Sequence, residues 1–131
     1  MLKLTAALVT IAIAATAQAS GWRSLRIDAG SEARFADSVA TFREALSPVR
    51  EYVFLHALQD VWLAGTERAA AQQREFTERD YLRELDGLAY KDVIRLTDPT
   101  GGTALSRQRE AYAHFYRQRP PLASAPVPAQ Q

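Results

Sequence analysis

His56 and Asp60 stand one helical turn apart in VFLHALQDVW, so a helix would carry both on one side and offer an imidazole and a carboxylate to the same ion. A metal site needs at least one more ligand, and no spacing in the chain announces it. There is no Cys, and the second His is far away at His114. The competing reading is a structural hydrogen bond between the pair at the edge of a core. The pair is the only candidate for a metal-dependent hydrolase, and no cofactor motif accompanies it. Carboxylates gather further on, at Glu75, Glu78, Asp80, Glu84 and Asp86, but Arg74, Arg79 and Arg83 alternate with them. Acid-base catalysis needs a carboxyl raised by burial beside a cleft, whereas this alternation is that of a solvated, ion-paired helical surface. The TDPTGG stretch at 97–102 lacks the preceding strand and the lysine of a phosphate loop and reads as a turn. Catalytic residues are therefore not expected, and the chain reads as a non-enzyme.

The elements that would position these residues are helices. Ser31 caps a first helix whose Phe35, Val39, Phe42 and Leu46 form one narrow apolar stripe. Ser47-Pro48 caps and starts a second. There Val49, Val53, Phe54, Ala57, Leu58 and Val61 sweep about half the circumference, with Leu55 and Trp62 beyond that arc. Such a helix is either central, covered by neighbours on both sides, or open along Leu55 and Trp62 to receive a partner. Gly65-Thr66 is expected to weaken or end it, leaving an Ala- and Gln-rich exposed helical arm or a loosely packed connection to Phe76. Thr77 and Asp80 form a capping box for a short helix with Tyr81, Leu82 and Leu85 inward.

Gly87 in LDGLAYKDVI predicts a Schellman stop at a corner, followed by a helix over about 90–96 that buries Val93, Ile94 and Leu96. Thr103 is expected to cap the last helix, with Ala104, Leu105, Tyr112, Phe115 and Tyr116 on one core-facing side. Residues 24–28 alternate as an extended segment whose partner the sequence does not identify. The fold class is all-α, a small bundle of four to five helices around the helix from Pro48 to Ala64. The helical domain spans 31–119, preceded by an extended segment at 20–30.

The ends carry a compartment. Lys3, the uncharged stretch from Leu4 to Thr16 and Ala17-Gln18-Ala19 make a secretory signal peptide over 1–19, cleaved after Ala19. No Cys is present to carry a lipid, so no stable membrane anchor is expected after cleavage, and the compartment is the periplasm or beyond. Without Lys3, 15 basic residues face 15 acidic ones. That balance argues against nucleic acid as a partner. Four of the six prolines fall in the uncharged tail over 120–131, which reads as disordered.

The segments IDAGSEARFADSV, LSPVREYVFLHAL and LDGLAYKDVI resemble a family of small exported bacterial proteins, many of them lipoproteins, whose function is unassigned. The resemblance covers about 25–96. It implies a helical fold and an exported location, and it brings no catalytic residue. In that family the second corner carries a Thr or Ser cap before acidic residues, where this chain has Ala89. The reading that follows is a protein-binding module, for example a periplasmic immunity or inhibitor protein, with Leu55 and Trp62 as the contact residues. Self-association through the same side is the remaining option.

Overall fold

In the computed structural model, residues 21–117 are described, and the expected signal peptide and the proline-rich tail lie outside them. Five α-helices form: α1 (Glu32–Ala45), α2 (Pro48–Ala71), α3 (Glu78–Leu85), α4 (Tyr90–Thr97) and α5 (Gly102–Tyr116). A single 3-10 turn at Trp22–Ser24 precedes them. The helices begin largely where short polar side chains can accept the first unpaired backbone N–H groups. Ser31 accepts from the Arg34 N–H at 3.2 Å, and Ser47 accepts from Arg50, one residue before Pro48. At Thr77 the capping box closes in both directions, with the Asp80 N–H donating to the threonine hydroxyl and the Thr77 N–H donating to the Asp80 carboxylate.

α2 is the axis of the molecule, with α4 and α5 both packed along it. Its Val49, Val53, Phe54, Ala57, Leu58 and Val61 are buried, the arc that the sequence spacing defines. Phe54 stacks on Phe42 of α1 at 4.6 Å and lies 5.8 Å from the Tyr90 ring of α4, so one aromatic side chain joins three helices. Ile27, Leu46, Leu85 and Val93 complete this core.

Contrary to expectation, α2 does not weaken at Gly65. It runs two further turns to Ala71 because the glycine serves packing: a Cβ there would lie 2.3 Å from the Phe76 ring. The helix ends in a Schellman motif, in which Gln73 N–H donates to Ala70 O and Arg74 N–H to Ala69 O, both near 3.0 Å. Gln73 takes the left-handed position, φ 55°, that glycine ordinarily fills. The chain then reverses, and Phe76 is buried against the helix it has just left.

The Schellman stop expected at Gly87 is instead a type II turn. Asp86 (φ −59°, ψ 130°) and Gly87 (φ 79°) occupy its two central positions, and Leu88 N–H donates to Leu85 O at 3.2 Å. The Gly87 N–H is thereby freed from the helix and donates to Ile27 O at 2.7 Å, while Ile27 N–H donates to Leu88 O at 2.9 Å. The missing partner of the extended segment is this corner, with an isolated antiparallel bridge between Arg26 and Ala89. Asp86 adds a third tie by accepting from the Ala29 N–H at 2.9 Å. At the start of α4, Ala89 offers no side-chain cap, and the Asp92 carboxylate reaches back to its N–H instead.

Two further expectations are corrected in the C-terminal third. The helix α5 already starts at Gly102, with Gly101 as its N-cap and Thr103 inside it, and the Ala104 N–H is taken up by the Asp98 carboxylate at 2.8 Å. Of the α5 face read as core, Ala104 is half-buried, but Leu105, Tyr112, Phe115 and Tyr116 are exposed, and the buried residue of the helix is Ala111. Leu96 of α4 is likewise exposed. In α5 the small side chain of Ala111 sits at the buried contact, and the large apolar side chains lie further round the helix, each between 38% and 49% exposed.

Candidate functional site

His56 and Asp60 do share one side of α2, but they are not partners. His56 Nδ1 lies 2.8 Å from the carbonyl oxygen of Tyr52, which can only accept, so that ring nitrogen carries the proton. Asp60 is held by Arg107 of α5 through both carboxylate oxygens, with Nη2 to Oδ1 at 2.9 Å. This bidentate pair raises the Arg107 pKa, chiefly through the hydrogen bond to Asp60. A carboxylate engaged at both oxygens has little left for a metal ion, and no cluster of three His, Asp or Glu that could hold one occurs among the described residues. The sequence pairing of His56 with Asp60 is therefore replaced by two separate structural bonds.

The acidic residues of 75–86 are mostly occupied in the same way. Glu84 pairs with Arg68 of α2, Asp80 and Asp86 bind backbone as above, and Glu78 lies beside Glu32 of α1. The Glu32 carboxyl raises the Glu78 pKa by hydrogen bonding and by repulsion. Asp80 moves the other way, lowered by the Thr77 backbone and hydroxyl donors. The Glu32 and Glu78 pair borders a cavity of about 500 Å³ with Ser31, Arg79 and Arg83. Both carboxyls are exposed, whereas a general acid is raised by burial beside a cleft.

The apolar surface is more distinctive. Trp62 is 38% exposed, its indole lying against Phe76 at 5.3 Å and edge-on to Tyr81 at 5.4 Å. Leu55 is half-buried and packs against the core, which leaves Trp62 as the open member of the sequence-derived pair. The larger feature is on α5, where Leu105, Tyr112 and Tyr116 are 48%, 49% and 47% exposed. At 100° per residue these three fall within about 40° of one another on the helix. The tyrosine rings stack at 5.4 Å. Beside them Phe115 meets Tyr52 edge-on at 6.4 Å, and Tyr52 in turn lies 4.1 Å from the His56 ring, so an aromatic seam joins α5 to α2.

Sequence reasoning missed this stripe because its periodicity is that of a core face, and periodicity does not say which side of a helix meets its neighbours. The usable signal was Ala104, Arg107 and Ala111, a line of small residues plus one cation facing Asp60 across α2. No helix of the described residues is long and apolar enough to cross a membrane. Comparison with protein-family models, with curated proteins and with solved structures gives no match for this chain.

Proposed function

We propose that the protein is an exported, non-catalytic module that binds another protein, in the manner of an immunity or inhibitor protein directed at a toxin or an envelope hydrolase. The observation that carries this reading is the Leu105, Tyr112 and Tyr116 stripe, three large apolar side chains each about half exposed on a helix whose buried residue is Ala111. Tyrosine offers a large contact area at low conformational cost and is enriched where interfaces concentrate their binding energy. Exposed Trp62 is the second anchor on the same account.

The test is capture of a partner from envelope and secreted fractions, followed by measurement with the purified pair. Tyr112→Ala and Trp62→Ala are each expected to weaken binding about 30-fold while the melting temperature stays close to that of the parent, as for hot-spot residues. A specific partner indifferent to both substitutions would refute the proposal. Light scattering separates this from self-association, which the same two changes would reduce in the absence of any other protein.

A further inference from the structure

At the opposite end of the sequence, the Trp22 ring carries two guanidinium groups, Arg23 at 4.5 Å from its centroid and Arg50 at 4.8 Å. Tyr90 meets the indole edge-on at 4.8 Å, and Trp22, Arg23, Tyr90 and Lys91 line a cavity of about 260 Å³. Arg50 reaches the other side of Tyr90, where it borders a second cavity. Two guanidinium carbons gathered at one ring lie within about one Debye length of each other and repel, and Lys91 adds a third charge. The attraction of an indole face for one cation is modest, so stacking alone does not explain drawing in a second.

What is missing is a counter-charge. Among the described residues none of Arg23, Arg50 and Lys91 forms an ion pair, the three that exist being Arg43 with Glu51, Arg68 with Glu84 and Arg107 with Asp60. Glu51, next to Arg50, is paired with Arg43, while Asp92, next to Lys91, and Asp98, which lines the adjoining cavity, are engaged with the N–H groups of Ala89 and Ala104. In a chain whose acidic and basic residues otherwise balance, this is a local surplus of positive charge around an aromatic floor. Burial raises the pKa of Tyr90, so its hydroxyl stays a proton donor at neutral pH.

We propose that the pocket lined by Trp22, Arg23, Tyr90 and Lys91, with the Arg50 guanidinium against the same Trp22 ring, binds an oxyanion, a carboxylate or a phosphate carried on a small body. The guanidinium forks and the ammonium donate to its oxygens, and the rings cover its apolar part. A volume of about 260 Å³ suits one acidic side chain or a small acid. It is below the range of about 300–1,000 Å³ typical for drug-sized ligands.

The experiment is an NMR titration of the mature chain with inorganic phosphate, acetate and benzoate, each against sodium chloride at equal ionic strength. The two indole N–H signals, from Trp22 and Trp62, serve as reporter and internal reference. The expected result is a saturable shift of the Trp22 signal with phosphate or a carboxylate, none with chloride, and affinity reduced about tenfold in both Arg50→Gln and Lys91→Gln. Lys91 is exposed, so its replacement reads the pocket even if the change at Arg50 disturbs the fold. Preference for phosphate points to a phosphate ester, and preference for benzoate over acetate to a carboxylate on an apolar body. No saturable shift with any of the three anions, or unchanged affinity in Lys91→Gln, would overturn the proposal.

Discussion

The Tyr81 hydroxyl donates to the Leu58 carbonyl oxygen at 2.8 Å, and burial pushes its phenol up to about 12. In the unfolded chain a tyrosine ionises near pH 10, so between about pH 10 and 12 the unfolded state gives up a proton that the folded state keeps. Stability is full below that window and falls as pH rises through it. Tyr81→Phe is expected to remove this alkaline decline while costing about 1 kcal/mol at neutral pH, measurable by urea unfolding at a series of pH values. Gln73 offers the opposite kind of change. A side chain at φ 55° is strained, and Gln73→Gly is expected to stabilise by up to about 1 kcal/mol, a rise of roughly 4–8 °C in melting temperature by calorimetry. Neither position stands out in the sequence. Gln73 carries no glycine to mark its turn, and the acceptor of the Tyr81 hydroxyl is a backbone atom 23 residues away.

Among the elements, α2 and α5 show what sequence pattern conveys and what it omits. Caps at Ser31, Ser47 and Thr77 and the buried arc of α2 were legible because each depends on residues a few positions apart. The length of α2 was not, because Gly65 reads as a helix breaker until Phe76 is seen seated on it. By propensity alone Gly65→Ala would stabilise a helix by about 1 kcal/mol. The ring at 2.3 Å reverses the sign, and the substitution is expected to destabilise by about 1–3 kcal/mol, with Phe76→Leu in the same chain restoring part of the loss on thermal melting. α5 is attached to α2 through buried Ala111 and the Arg107 pair with Asp60. Arg107→Ala is expected to speed hydrogen exchange of the α5 amides and leave those of α1 and α3 unchanged, since α5 packs against α2 and a local opening need not disturb the other helices. The outward stripe was unreadable because which face of α5 is covered depends on Asp60, 47 residues earlier.

For the molecule as a whole, the segment before the first helix belongs to the core. Ile27 is 1% exposed and packs with Phe42, Phe54 and Leu85, so Ile27→Ala is expected to cost about 2–5 kcal/mol by urea unfolding, as much as a change inside α2. Its burial depends on the turn at Asp86-Gly87, which gives the isoleucine a backbone donor and a backbone acceptor. The contact from Arg26 to Gly87 spans 61 positions of sequence. That separation sets an order of assembly: a chain growing from its amino end holds Ile27 in water until the corner has been made, and closing so wide a loop comes after the local helical contacts have formed. A ribosome halted short of residue 89 would therefore hold a polypeptide with caps and helices but no latch.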